Sequence, residues 1–530
     1  MRIGSDRFRR KLLALVTSRD GSVAVIFAVA LVPVVIAAGV GLDVSRAMSA
    51  RTNLQDALDS TALALAHMPA DASQAELVAK ANTWLHANLS DKELGPVVLD
   101  VRSATGEMVI EASSYIPTTL TAITGVDRFP VVARSTAKWG LGHVEVALVL
   151  DNTGSMASGE KLSRLKTAAN ELVDTLASTT NSTDRNALKI GVVPFSMTVR
   201  LGSSYQTSTW MTGTAPTEYF TEPGATDLFA MPTTGTKNWN RFDKFKGMQQ
   251  TWAGCVESRP APYDVQDTGP NAAVPESLFV PFFAPDEPDD GTIVKSKTWN
   301  KTTYYKFDND YLSDGVSTNN LTPVDAWRKR QGNQNKYTVK PSGGGPNAGC
   351  TMATIQRLTT DMEAVKAKIT AMQATGNTNV PIGMMWGWHV LSPNLPFGDG
   401  VSYSNKDTKK FAVLLTDGDN TNDDSGDFNE STYSSLGYIW QGRLVGAGSG
   451  STPSERTKAM DDRLVLLCNN MKAAGITVYT VRIDMAGTSA PTALKSCASS
   501  ADKFYDINST GLSAAFNAIA GSIGQLRLAE

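Results

Sequence analysis

The sequence predicts an α/β fold: a doubly wound, mostly parallel sheet carrying a large insertion, preceded by one apolar helix and a small α+β region. Three observations lead there. Residues 22–42, SVAVIFAVALVPVVIAAGVGL, contain no charge and have the length that crosses a bilayer's hydrocarbon core as a helix. Residues 95–137 alternate apolar and polar side chains, the period of strands. From residue 143 the rhythm becomes strand, loop, helix, repeated, which implies a parallel sheet with helices on both faces. The 530 residues exceed one ordinary core, so two or three domains are expected. A formal net charge of −3 leaves no charge excess to argue for nucleic acid.

The N-terminus is the only strongly basic stretch. Arg2, Arg7, Arg9, Arg10, Lys11 and Arg19 stand against Asp6 and Asp20, whereas Asp43 and a mostly neutral stretch follow the apolar run. That asymmetry predicts a cytoplasmic segment at 1–21, a transmembrane helix at 22–42 that Pro33 would kink, and an exported bulk. A cleaved signal peptide is the alternative. The run is longer than a usual signal core, and Ala28 to Ala30 lies inside it rather than at a break in pattern. The helix continues beyond the membrane: Leu54, Leu58, Thr61, Leu65 and Met68 recur at three- and four-residue spacing, with Asp56 and Asp59 on other faces, until Pro69 closes it. A second helix, about 72–89, carries Leu77, Ala81, Trp84 and Leu85 on one side. Strands follow at Val97–Val101, Met108–Ala112 and Phe129–Ser135, so 43–142 reads as a helical and β stalk region without a site.

In the region 143–530, Val144–Leu150 is the first strand, Leu162, Leu165, Ala169, Leu172, Val173 and Leu176 form a helical stripe, and Lys189–Phe195 is the next strand. After an interruption, Ile355, Leu358, Met362, Val365 and Ile369 repeat at helical spacing. Phe411–Thr416 is a fully apolar strand of the kind buried on both faces. Leu464, Leu467 and Met471, stopped by Gly475, give a helix; Ile476–Val481 a strand; Lys503–Ile507 an edge strand; and Leu512, Phe516, Ile519, Ile523 and Leu526 a last amphipathic helix.

The interruption, 200–350, is rich in Thr, Pro, Gly and Asn yet holds Trp210, Trp239, Trp252, Trp299 and Trp327, which a disordered linker would lack. It reads as an ordered insertion of irregular structure. Core packing is the commoner use of such aromatics, and exposed they would serve protein or glycan contacts. Four cysteines in an exported chain allow two disulfides in three pairings; domain placement favours Cys255 with Cys350 and Cys468 with Cys497. Buried free thiols are the alternative. No Cys-x-x-Cys pair occurs, and the scattered cysteines and histidines speak against zinc or haem.

Chemistry concentrates in Asp151-Asn152-Thr153-Gly154-Ser155, immediately after the first apolar strand. Asp-x-Thr-x-Ser puts one carboxylate and two hydroxyls on one tight turn. Thr378, in Gly376-Asn377-Thr378-Asn379, and Asp417, which ends the strand Phe411–Thr416, complete the set. Loops beyond the C-terminal strand ends of a doubly wound sheet converge, so these chain-distant oxygens can meet. They suit a hard divalent cation, Mg²⁺ first, with Mn²⁺ or Ca²⁺ as alternatives, and leave room for a partner's carboxylate. The alternative is structural: Asp151 caps the turn and the hydroxyls satisfy nearby backbone. A second oxygen-rich loop, Asp417, Asp419, Asn420, Asn422, Asp423, Asp424 and Asp427, lacks EF-hand spacing and reads as a solvated acidic loop more than a Ca²⁺ site. Asp484 is expected to shape a loop rather than to bind metal. Enzyme readings fare badly: there is no Gly-x-Ser-x-Gly elbow and no His-Glu-x-x-His, and His389 reads as structural.

The Asp151, Thr153, Ser155, Thr378 and Asp417 pattern resembles the metal-ion-dependent adhesion site of von Willebrand factor type A domains, whose first motif is Asp-x-Ser-x-Ser; here Thr153 keeps the hydroxyl and adds a methyl. The resemblance covers about 143–200 and 351–528. The segments Arg19–Ala28, Gly41–Arg46 and Leu54–Ala64, with Thr378–Gly383 and Trp386-Gly387-Trp388 ahead of Leu391-Ser392-Pro393, look like TadG-like proteins of the bacterial tight-adherence (Flp) pilus system. That resemblance implies a non-enzymatic protein anchored in the inner membrane by a single pass, with its bulk in the periplasm. It also implies pilus or pilus-assembly partners bound through an acidic side chain, and self-association through the N-terminal helix. Small pilins of this system are processed after a glycine; Gly21 here is followed by Ser22–Ile26 without a glutamate at the fifth position, so retention in the membrane is expected. A surface-exposed adhesin acting on an external protein or glycan is the alternative function.

Overall fold

The computed structural model describes residues 21–66, 73–89, 94–104, 107–138, 143–179, 186–215, 240–289, 296–298, 301–303, 309–483 and 492–528. The basic segment, Met68, Pro69, Trp239, Trp299 and Asp484 lie outside the described residues. The chain forms two compact units, Met1–Gly140 and Leu141–Glu530.

The first unit opens with one helix, α1 (Gly21–Ala66), followed by α2 (Gln74–Asn88), β1 (Val98–Ala104), β2 (Glu107–Pro117) and β3 (Arg128–Lys138). The strands form an antiparallel sheet in the order β1-β2-β3. Residues 26–38 of α1 are exposed except for half-buried Ile36. From Ala50 onward one face, Leu54, Ala57, Leu58, Ala62 and Leu65, packs with Leu77, Ala81 and Leu85 of α2 and with Val101, Ile110 and Val131 of the sheet. The helix is therefore two things in sequence: an apolar stretch long enough to cross a membrane, then the amphipathic spine of a small core. At α2, Ser73 and Glu76 form a reciprocal capping box that starts the helix.

The second unit is an α/β fold. Its sheet and the helices packed on it are β4 (His143–Asp151), α3 (Lys161–Thr179), β5 (Leu188–Phe195), β6 (Val199–Arg200), β7 (Cys255–Val256), β8 (Gln356–Thr359), α4 (Met362–Thr370), α5 (Val380–Leu391), β9 (Thr408–Thr416), α6 (Pro453–Ala473), β10 (Ile476–Ile483), α7 (Thr492–Cys497), β11 (Phe504–Ile507) and α8 (Leu512–Leu528). The sheet order is β11-β10-β9-β4-β5-β6-β7, with β8 also on β5. The strands β11 through β5 pair in parallel. Alternate residues of one strand feed opposite cores. Val146, Leu148 and Leu150 of β4 and Phe411, Val413 and Leu415 of β9 meet α3, α4 and α8. Ala147 and Val149, with Ala412 and Leu414, meet α5, α6 and α7. Burial on both faces is why these strands read as continuous apolar runs.

Two expectations are corrected. The sheet is mixed: β6 and β8 each pair antiparallel with β5, and β7 pairs antiparallel with β6. The helical spacing read from Ile355 to Ile369 also breaks in two. Residues Gln356–Thr359 pair with β5, and α4 begins only after Asp361, whose carboxylate accepts the Ala364 N–H at 3.0 Å. Ile355 and Leu358 pack into one core and Val365 and Ile369 into the other, so equal spacing there does not mean one face. Helix α5 lies tight on the sheet because it presents glycine: a Cβ at Gly383 would fall 2.5 Å from Phe195 Cγ and one at Gly387 2.5 Å from Val149 Cγ2.

The insertion is ordered across most of its described length and uses its aromatics for packing. Trp210, Trp252 and Trp327 are buried. Trp210 meets Phe279 edge-on at 5.5 Å, and Phe279 lies 5.0 Å from Trp386 of α5. Disulfides join Cys255 to Cys350 and Cys468 to Cys497, the favoured pairing.

Candidate metal centre

Strands β4 and β9 are parallel neighbours with Leu150 opposite Leu415, so their next residues emerge side by side at the C-terminal edge of the sheet. Asp151 is fully buried. One carboxylate oxygen accepts the Thr153 N–H at 2.8 Å and the other accepts the Thr416 hydroxyl at 2.7 Å. The chain then makes a 3₁₀ turn, Gly154–Ala157, and bends through Gly159 (φ 63°) into α3. This turn aims two hydroxyls at the neighbouring strand end. Thr153 Oγ1 and Ser155 Oγ lie 2.9 Å apart, and Ser155 Oγ donates to Asp417 Oδ1 at 2.6 Å. Four of the five expected ligands thus stand in one hydrogen-bonded chain.

Thr378 is placed differently. Its loop is stitched to the first turn through Thr375 N to Asn152 O at 2.8 Å and Gly154 N to Gly376 O at 2.9 Å. Thr378 itself pairs with Thr421 through both backbone groups: its N–H donates to Thr421 Oγ1 at 2.8 Å and its carbonyl accepts the Thr421 N–H at 2.9 Å. The Thr378 side chain makes no hydrogen bond among the described residues, although the residue is nearly buried. It sits just ahead of α5, whose first turn is capped by Asn379.

Sequence reasoning missed Lys161. Its ammonium donates to Asp417 Oδ2 at 2.7 Å, from a side chain 15% exposed to one wholly buried. A lysine in the first turn of a helix opposes the helix dipole, which is the signal that could have flagged it. The electrostatics match two acids placed close together. Burial, and after it the negative charge of Asp417, push the Asp151 carboxyl up to about 6, against the hydrogen bonds from Thr153 and Thr416.

The donor set fits a hard cation. Six oxygens at about 2.1 Å around Mg²⁺ stand about 3 Å from their neighbours, close to the 2.9 and 2.6 Å found along Thr153, Ser155 and Asp417. Among the described residues no three His, Cys, Asp or Glu side chains gather, so a metal here would depend on hydroxyls. Beside the site, Asn152 Oδ1 and Nδ2 and Ser196 Oγ are buried without a protein partner among the described residues. Polar atoms of that kind call for ordered water.

In the acidic loop, Asp427 accepts from Ser425 Oγ and Asn429 N–H and Asp424 from Gly426 N–H, while Asp419, Asp423 and Asp424 are exposed. Asn420 bridges Val380 N–H and Asp461. His389 is fully buried between Trp386 and Phe279. A cavity lined by Arg259, Tyr263, Phe279, Trp386, His389 and Arg463 lies against α5 and α6, and of the candidate site's surroundings it includes only Asn379.

Comparison with known proteins gives two findings. Residues 21–67 match the Tad family model, described as Flp pilus-assembly TadE/G-like. Among solved structures, the chain is similar to the vWF domain of the type V pili tip protein Mfa5 from Porphyromonas gingivalis (10% identity, 73% of this chain and 97% of that one, TM-score 0.32). It is also similar to the pilus adhesin SpaC from Lactobacillus rhamnosus GG (11% identity, 81% and 34%, TM-score 0.32) and to the pilus adhesin RrgA from Streptococcus pneumoniae (10% identity, 81% and 49%, TM-score 0.31). The chain spans less than half the length of these two adhesins. No curated protein matches it.

Proposed function

We propose that this chain is a membrane-anchored, non-enzymatic protein of tight-adherence pilus assembly or anchoring, with a von Willebrand factor type A-like second unit that grips a pilus or pilus-assembly partner through a divalent cation. The observation that carries this reading is the chain of oxygens Thr153 Oγ1, Ser155 Oγ and Asp417 Oδ1, tied to the Asp151 carboxylate through the Thr153 N–H at the ends of two adjacent parallel strands. The TadE/G-like segment at 21–67 and the apolar stretch of α1 support the anchor. In this reading α1 crosses the inner membrane over 22–42, with the N-terminus cytoplasmic and the bulk periplasmic, and its exposed apolar face also serves self-association.

Thr153, Ser155 and Thr378 would hold the cation with their hydroxyls, and Asp151 and Asp417 directly or through water. A bound Mg²⁺, or Mn²⁺ or Ca²⁺ in its place, offers an open position to an acidic side chain of the partner. The chain's own residues do the rest. Asp151 fixes the turn through the Thr153 N–H, Thr416 orients Asp151, and Lys161 balances Asp417 when no divalent ion does.

The test is calorimetric titration of Mg²⁺ into the full chain in detergent micelles after chelation, beside Asp151→Ala and Asp417→Ala proteins shown to be equally folded. Saturable binding lost in both variants supports the site. Absence of binding by the intact chain overturns the metal reading. Cell fractionation tests the rest: retention in the inner membrane supports assembly, and exposure on the cell surface transfers the function to adhesion to an external ligand.

A further inference from the structure

We propose that the turn joining β2 to β3 is a second membrane contact, seated in the lipid interface where α1 leaves the bilayer. The proposal rests on the reading that α1 spans the membrane over 22–42. Those residues, at about 1.5 Å each, make about 31 Å of helix, the thickness of a hydrocarbon core. The span ends at Leu42, with Asp43 next. Gly39 therefore lies about one helical turn inside that end. Leu120 of the turn rests directly on it: a Cβ at Gly39 would fall 2.4 Å from Leu120 Cβ. The turn thus reaches below the point where the span ends.

Its chemistry suits that depth. Pro117–Val126, PTTLTAITGV, carries no charge. Leu120, Ile123 and Val126 are 38, 72 and 41% exposed, and Ile123 is more exposed than Ile26, Phe27 or Val29 in the span itself. Large apolar side chains turned outward at a loop tip mark a contact surface, and here that surface continues the exposed face of α1.

Backbone polarity is the usual obstacle to placing a turn in lipid, since each unpaired N–H or C=O is costly there. This turn consumes most of its own. Asp43 accepts the N–H groups of Thr119, Leu120 and Thr121 at 2.9–3.2 Å and the hydroxyls of Thr119 and Thr121 at 2.7 and 2.9 Å. The Ile123 and Gly125 N–H groups donate back to Leu120 and Ala122, the Thr118 N–H donates to the Asp127 carbonyl, and the Thr118 and Thr124 hydroxyls donate to the Val126 and Thr121 carbonyls. Charge and aromatic groups resume at the base of the turn, where a headgroup layer would begin. Arg128 lies over the Tyr115 ring at 4.9 Å, and Arg46 reaches Asp43 and Thr119. Asp43 is thus the latch between helix and turn.

The described cysteines are all disulfide-bonded, so a single introduced cysteine takes an environment-sensitive fluorophore selectively. The full chain, labelled in turn at Ile123→Cys, Val32→Cys and Val132→Cys, is reconstituted at low density into phosphatidylethanolamine–phosphatidylglycerol vesicles carrying nitroxide lipids, shallow or deep. Val32 reports the span, and Val132, exposed on β3 beyond the turn, reports water. The expected result is deep quenching at 32, shallow quenching at 123 at least about threefold above that at 132, and no change when protein is diluted in lipid. Quenching at 32 with 123 no different from 132 overturns the proposal and leaves the span intact. Absence of quenching at 32 overturns the span and the proposal with it. Shielding of 123 that vanishes on dilution overturns the lipid contact in favour of a second copy of the chain.

Discussion

On the metal site proposed above, Lys161→Met is expected to tighten Mg²⁺ binding about 30-fold. The Lys161 ammonium lies 2.7 Å from Asp417 Oδ2, with the two side chains 15% and 0% exposed. Such a pair falls between exposed ion pairs, worth up to about 1 kcal/mol, and fully buried ones, whose severing costs roughly 3–5 kcal/mol. About 2 kcal/mol is a fair middle value. A divalent ion at Thr153, Ser155 and Asp417 competes with the ammonium for the same carboxylate, so binding must give up that interaction. Removing it beforehand returns about 2 kcal/mol to the metal, about a 30-fold change at 1.4 kcal/mol per decade. The same substitution leaves buried Asp417 without its ammonium partner, so the variant should melt lower in chelator and recover with saturating Mg²⁺. Titration calorimetry and thermal unfolding, with and without Mg²⁺, read both effects. Lys161→Arg, which keeps the charge, should stay near wild type. Affinity within threefold of wild type, or weaker, would refute displacement and make Lys161 a purely structural partner of Asp417.

Gly383→Ala should destabilise the second unit by about 1–3 kcal/mol in urea unfolding, because the added methyl meets Phe195 at 2.5–2.9 Å and neither the helix nor the central strand can yield; a net gain from better helix propensity would contradict the packing argument. Burial, opposed by the Asp267 carboxylate, lowers the His389 imidazole from 6.5 to about 4. Asp267 Oδ1 is 3.7 Å away, so it acts mainly through charge. Because the folded pKa lies below the unfolded one, the unfolded chain takes the proton first. This contribution is full above about pH 6.5 and lost as pH falls through about 4, roughly 3 kcal/mol in all. His389→Gln should flatten that part of the stability–pH curve, and an unchanged acid limb would contradict it. Replacing Cys255 and Cys350 together by alanine opens a link across 95 residues and should cost roughly 4–5 kcal/mol in denaturant titrations, as chain entropy predicts; an unchanged midpoint would mean the insertion is held by its packed aromatics alone.

Much of the second unit was legible because its strands are buried on both faces. A run such as Phe411–Thr416 has one reading, and the glycine stop at Gly475 (φ 85°) marks a helix end without ambiguity. Ile355–Ile369 failed for a local reason: Ile355 and, from the short strand β8, Leu358 go to one core, while Val365 and Ile369 of α4 go to the other. Periodicity counts spacing and cannot see a change of face. The role of Trp210, Trp252 and Trp327 was equally open in sequence, since a tryptophan's composition does not say which side of a surface it occupies.

At the candidate site, the residue types and their strand-end positions are local properties, and the sequence by itself determined them: Asp151 and Asp417 each follow an apolar strand, and Thr153 and Ser155 share one turn. Likewise the length and charge asymmetry of residues 22–42 are properties of a continuous segment. Which oxygens meet is not local. The parallel pairing of β4 with β9 brings Ser155 to Asp417 across 262 residues, and only that pairing places Lys161 on the same carboxylate. The Asp43 latch belongs to the same class: an acid just beyond an apolar span looks like a boundary marker until the fold carries Thr119–Thr121 back to it. Chain-distant contacts carry no spacing, so tertiary structure alone decides them.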